Sequence, residues 1–302
     1  MSSVSRENMR SPKPRILTLA GLCLALMSGC RSEAPESIAF LAVSDGYWEV
    51  WVTDDEGRSP RKLSDFKADV SRISWFPDGN TLLVNLHDGR MFRLDADSGE
   101  ASAVQAPMPG ILDAVVSPDG RQATFSLSTA DSIDNNDIWT FDLSTGGLNK
   151  LTSMARLQHE PTWSSDGAQV YFLSGRGGQT HDIWRADVAT RETEQLTVNA
   201  LYHFDLAARP DGALAYSGNQ TGNYDLWIRH PDGRAEQLTD DPELDARPTW
   251  SPDGKALAFE STRDGNIDIW RYDLGSSELK RLTEMPEGAR HPVWSPVHGG
   301  ER

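Results

Sequence analysis

A Pro-Asp-Gly tripeptide returns along this chain with a regularity that constrains the fold more than any other feature. It stands at Pro77-Asp78-Gly79, Pro118-Asp119-Gly120, Pro210-Asp211-Gly212 and Pro252-Asp253-Gly254, with Ser165-Asp166-Gly167 as the one internal copy lacking proline. The successive aspartates lie 41, 47, 45 and 42 residues apart. Each residue type has a reason to be there. Proline presets φ for the first turn position, aspartate binds nearby backbone N–H groups, and glycine accepts positive φ. Apolar runs on both sides make each turn a tight hairpin. Pro231-Asp232-Gly233 falls off the period and is assigned to a different hairpin.

The rest of the unit repeats with the turn. A second strand follows it, then a polar loop, then a third strand opening on Asp137-Ile-Trp139, Asp182-Ile-Trp184, Asp225-Leu-Trp227 or Asp268-Ile-Trp270. A short fourth strand ends in Leu-Thr at 151–152, 196–197, 238–239 and 282–283, with Leu63-Ser64 in the first copy. Four short antiparallel strands in 41–47 residues are the size of a β-propeller blade. Six second strands are legible: 38–43, 81–86, 122–127, 168–173, 213–217 and 256–260. Only five have a first strand before them. The orphan is "HPVWSP", residues 291–296, which begins a unit that has no second strand after it. A solenoid does not explain complementary fragments at the two ends, whereas ring closure does. The expectation is all-β: a six-bladed propeller over 38–298, closed by pairing of the C-terminal strand with the N-terminal partial blade. Trp75, Trp163, Trp250 and Trp294 recur just before the turn and are read as packing between blades.

The N-terminus carries a different signal. Arg6, Arg10, Lys13 and Arg15 precede an apolar stretch from Ile16 to Met27, too short to span a bilayer and right for a signal peptide. It ends in Met27-Ser28-Gly29-Cys30, which resembles the bacterial lipobox, with methionine where leucine is usual. That resemblance implies a signal peptide over 1–29, lipidation of Cys30, and a short polar tether over 30–37. An ordinary cleaved signal is the alternative. The only other cysteine, Cys23, lies inside the segment to be removed, so no disulfide is expected. Arg31 rather than Asp follows Cys30, which in bacterial lipoproteins implies the outer membrane, facing the periplasm. A net charge of −16 excludes nucleic acid as a partner, because a phosphate backbone needs a basic face.

The "WSPDG…DIW…LT" repeat resembles the WD40-like repeats of TolB-like propellers, from Ile38 to about Pro296. The resemblance implies a periplasmic scaffold binding envelope proteins such as peptidoglycan-associated lipoprotein. The α/β domain that precedes the propeller in TolB is not expected here, nor is a hydrolase domain after it. No Gly-x-Ser-x-Gly, HExxH, P-loop, Rossmann or EF-hand motif occurs. None of the seven histidines has a partner at metal-ligating helical spacing, so no cofactor and no metal are expected. Asp137, Asp182, Asp225 and Asp268 recur once per unit, as structural groups do, and are expected to accept hydrogen bonds from loop N–H groups.

Candidate binding residues are sought where the repeat breaks symmetry. Four positions before the turn serine, the six first strands hold Arg72, Asp113, Glu160, Asp205, Arg247 and His291. These six would ring the channel mouth, acidic over three blades and basic over the other three, with His159 and His203 extending the rim. The bland reading has them pair with one another or with water. The functional reading is a mouth gripping an envelope protein or peptide, since complementary charge gives orientation and on-rate. A monomeric, non-catalytic scaffold, anchored to the membrane through Cys30, is the first expectation. The alternative is an envelope glycan-binding module, or a glycan lyase or hydrolase in which Asp113, Glu160 and His291 serve as acid, base or metal ligand.

Overall fold

The computed structural model describes residues 37–128, 136–175, 180–198 and 202–296. The signal segment, Cys30, most of the tether and the last residues, His298 included, lie outside the described residues. The described chain forms six four-stranded antiparallel sheets. From the inner strand outward, blade 1 is Ala289–Trp294, Ser37–Ser44, Tyr47–Asp54 and Arg61–Lys62. Blade 2 is Val70–Trp75, Thr81–Leu86, Met91–Asp95 and Ala101–Val104. Blade 3 is Val115–Val116, Gln122–Ser128, Asn136–Asp142 and Leu148–Lys150. Blade 4 is Gln158–Trp163, Gln169–Ser174, Asp182–Asp187 and Thr193–Gln195. Blade 5 is His203–Ala208, Leu214–Gly218, Asp225–Arg229 and Ala235–Gln237. Blade 6 is Asp245–Trp250, Ala256–Ser261, Asp268–Asp273 and Leu279–Arg281.

The expected closure is present. Ile38 pairs with Trp294 and Ala39 with Val293, and the Ser295 amide donates to the Ser37 carbonyl at 2.8 Å. The clasp also grips the next blade: the Trp75 indole N–H donates to Val293 O at 3.0 Å, and Ser295 Oγ donates to Gly79 O at 3.0 Å. On the other side Glu56 of blade 1 pairs with Arg271 and Lys280 of blade 6. Gly57 lets the two blades meet there, since at φ +77° a Cβ on it would lie 2.4 Å from Leu282 O.

Why these sequences make blades follows from their buried groups. The apolar core is not one mass but six clusters, one at each seam. Leu41, Val52, Val70 and Trp75 lie between blades 1 and 2, and Phe40, Ala258, Leu282 and Trp294 between blades 6 and 1. The four turn tryptophans are buried in these seams, 6–8% exposed. Trp163 and Trp250 repeat the staple of Trp75, donating to Val115 O and Ala207 O of the preceding blade at 3.0 and 3.1 Å. In these three, burial of the ring and satisfaction of its one donor coincide, whereas Trp294 finds no acceptor among the described residues.

The Asp-Ile-Trp and Leu-Thr motifs prove to be one device. In blade 6, Thr283 Oγ1 donates to Asp268 Oδ1 at 2.7 Å while accepting the Ile269 amide at 2.9 Å. Blades 4 and 5 repeat it with Thr197 and Asp182 and with Thr239 and Asp225, and blade 1 uses Ser64 and Glu49. The carboxylates are thus structural, as expected: Asp225 and Asp268 accept loop amides, from Asp241 and Met285, and the hydroxyl is a further donor the motif supplies. The turn aspartates are structural too: Asp119, Asp166 and Asp253 each accept the serine hydroxyl two residues before and the amide two residues on. Pro231-Asp232-Gly233 joins the third and fourth strands of blade 5, as assigned.

Candidate functional site

The inner strands enclose a central channel of about 730 Å³. At the turn end its lining includes Trp75, Trp163, Trp250, Pro77, Pro118 and Pro252, and farther in Ile73, Val115, Thr162, Ala207, Thr249 and Val293. Charged groups stand at the far end. Of the six ring positions, Arg72, Asp205, Arg247 and His291 line the cavity, whereas Asp113 and Glu160 stand off it.

Backbone geometry explains how this neck is built. Glu160, Asp205, Arg247 and His291 have φ of +53°, +59°, +52° and +53°. Each sits at a register shift in its inner strand, a β-bulge, which turns the backbone N–H out of the ladder. Left-handed backbone at a non-glycine residue costs about 1–3 kcal/mol. The freed amides offset that cost by meeting carboxylates, a charge-assisted bond worth about 1.5–3 kcal/mol. Asp205 N donates to Glu160 Oε2 at 2.6 Å, Arg247 N to Asp205 Oδ2 at 3.3 Å, and His291 N to Glu260 Oε2 at 3.1 Å. The Arg247 guanidinium spans Asp205 at 3.5 Å and Glu260 at 2.5 Å. A linked arc therefore runs through blades 4, 5, 6 and 1. It replaces the simple division into an acidic half and a basic half expected from the sequence.

Blades 2 and 3 break the arc. The inner strand of blade 3 is reduced to Val115–Val116, so Asp113 precedes it and turns back on its own blade. Its carboxylate takes the Ser126 amide at 3.0 Å and the Ser126 hydroxyl at 2.6 Å. Arg72 faces the charges of Asp113 and Glu160, yet among the described residues its guanidinium has no hydrogen bond and no ion pair.

Burial sets the protonation of these groups. It pushes Asp205 up to about 6, helped by the charges of Glu160 and Glu260 and opposed by Arg247. Burial also raises Asp113, against its two bonds from Ser126. For Glu160 burial acts upward too, but His159, the Asp205 amide and Arg72 outweigh it and hold the carboxyl below its usual range. Burial, then the charges of Arg247 and Arg72, keeps His291 well below its ordinary value, so it is a neutral member of the neck at pH 7.

Two expectations change. His203 is not a rim group: it is 0% exposed and its Nδ1 lies 2.7 Å from the His181 carbonyl oxygen. His159 is half-buried against His181 and 3.5 Å from Glu160. The expected set also omitted Glu260, 1% exposed, which completes the arc. A signal for it exists. The second strands are apolar, yet one aligned position holds Asn85, Ser126, Ser217 and Glu260, with leucine only at Leu41 and Leu173. These polar residues hold the ring: Asn85 reaches the Ala114 carbonyl, Ser126 holds Asp113, and Ser217 Oγ holds Asp205 at 2.8 Å. Among the described residues no three His, Cys, Asp or Glu side chains converge to hold a metal ion.

The TolB beta propeller domain model matches residues 182–299. An uncharacterized protein of Agrobacterium fabrum is 27% identical over 239 residues, 74% of this chain and 80% of that protein. A TolB homolog of Chlorobium luteolum is 28% identical over 148 residues, 48% of this chain but 33% of the homolog. The crystal structure of TolB from Acinetobacter baumannii superposes with a TM-score of 0.76 at 21% identity, covering 86% of this chain and 67% of that one. With six blades, the Pro-Asp-Gly repeat and these likenesses together, the chain is a TolB-like six-bladed β-propeller.

Proposed function

We propose that the chain is a non-catalytic interaction scaffold of the bacterial envelope, gripping an extended protein or peptide segment in its central channel. One observation carries this reading: a tryptophan- and proline-lined channel of about 730 Å³ ends on charged groups, and among the described residues the Arg72 guanidinium there has no hydrogen bond or ion pair. A channel of this size suits a short segment of chain, with apolar walls for contact and a few polar groups for orientation. The TolB-like relatives support an envelope location. The proposal includes a signal peptide over 1–29, lipidation at Cys30, a tether over 30–37, an outer-membrane position facing the periplasm and a monomeric propeller.

The glycan-enzyme reading is less well supported by the same geometry. Asp113 and Glu160 spend their carboxylates on Ser126 and on the Asp205 amide, and His291 presents a neutral ring beside two guanidinium groups. Acid–base work needs groups free to meet a substrate. The test is a photo-crosslinking amino acid placed at Thr162 in the channel, compared with Glu236 on the outer strand of blade 5, in cells. A discrete adduct from Thr162 that Arg72→Ala weakens at least several-fold is expected. An adduct from Glu236 alone, or one indifferent to Arg72→Ala, would count against the channel.

A further inference from the structure

At the seam between blades 4 and 5 two imidazoles meet, and a third bonds to the backbone of one of them. His159 lies on the inner strand of blade 4, His181 just ahead of that blade's third strand, and His203 opens the inner strand of blade 5. The rings of His159 and His181 are 4.6 Å apart, edge to face. His203 Nδ1 is 2.7 Å from His181 O, and a carbonyl can only accept, so the ring proton sits on Nδ1 and Nε2 is bare. Tyr216 packs on the same ring at 5.1 Å, and Phe204 on His181 at 5.3 Å. Among the described residues, His159 Nε2, His181 Nδ1 and His203 Nε2 are buried and meet no hydrogen-bond partner. Buried unpaired polar atoms are rare and call for a reason.

We propose that this cluster is an acid-released latch: neutral imidazoles hold blades 4 and 5 together, and protonation loosens that seam and with it the channel neck. The link to the neck is direct, because the same seam carries the bond from Asp205 N to Glu160. Protonating His203 would place an N–H with no acceptor in a fully buried site, and protonating His181 would set a charge against His159.

The neighbouring charges do not all act one way. Glu160 stands 3.5 Å from His159 and its charge favours a charged His181, while Asp182 favours a charged His203. Burial nonetheless holds His203 and His181 below their ordinary values, His181 further lowered by the charge of His159. A histidine depressed in the folded state leaves stability intact above about pH 6.5 and takes it away as pH falls below that value. Asp205 has the opposite sign. With its folded value at about 6 and its unfolded value at 3.8, it strengthens the fold as pH drops through 6. Global stability therefore mixes two trends, and a local readout is required.

That readout is native-state hydrogen exchange of the full chain at pH 7.5 and 5.5, corrected for the chemical pH dependence of exchange. Amides of Gln158–Trp163 and His203–Ala208 are expected to lose about tenfold protection relative to those of Thr81–Leu86, the equivalent of one displaced proton. Equal change across all blades, or none, overturns the latch. His181→Phe keeps the edge-on contact and removes the titrating nitrogens, so it should flatten the local difference. A His181→Phe protein that keeps the full acid response overturns the latch as well.

Discussion

Asp268 and Thr283 are fifteen residues apart in sequence and 2.7 Å apart in the fold. The pair shows what the repeated motifs are for: a buried carboxylate, 0% exposed, is satisfied by a hydroxyl that also caps the Ile269 amide. Thr283→Val would remove both bonds while keeping the shape, leaving Asp268 to Arg281 and the Met285 amide. A loss of about 2–3 kcal/mol is expected in denaturant unfolding. Thr152→Val in blade 3 should cost less, because Thr152 stands 3.5 Å from Asp137, which Lys150 already pairs at 2.6 Å. Equal losses at the two sites would contradict this account. The structural nature of these aspartates was readable from their recurrence, whereas their shared partner was not, since nothing in spacing alone says which donor crosses between strands.

Elements meet at seams, and there a single missing Cβ can matter more than a side chain. Gly57→Ala pushes a methyl into Leu282 O at the blade 1–6 seam and forces alanine to φ +77°, so a cost of about 2–4 kcal/mol is expected. Gly46→Ala is the internal control. Its φ is +83°, but nothing lies within 4 Å of the added atom, and only the backbone cost of about 1 kcal/mol should appear. Unfolding midpoints of both variants check the pair, and a harmless Gly57→Ala would mean that the seam is loose. Much of the neck was hidden at this scale. The aligned ring positions were legible, but the bulges that turn Asp205, Arg247 and His291 toward their neighbours depend on strand register. Asp113 departs from the set because blade 3 shortens its inner strand to two residues. His203 falls on the buried side of its own strand, and Glu260 stands on a second strand whose other residues are mostly apolar.

For the whole molecule the repeat said nearly everything about architecture. Six units, a strand missing at one end and a strand left over at the other admit a closed ring, and the register of Ile38 with Trp294 is that closure. The channel, its neck and the Trp75 staple to Val293 exist only while the inner strand of blade 1 is supplied from residues 289–294. This strand closes the ring and so creates the channel. The most direct test of that closure is the equilibrium unfolding of a chain lacking residues 291–302. Loss of the cooperative transition, or a stability lowered by several kcal/mol, is expected, since Trp294 alone buries a ring worth about 3–5 kcal/mol. A truncated chain that unfolds in the same single transition as the intact one would contradict it.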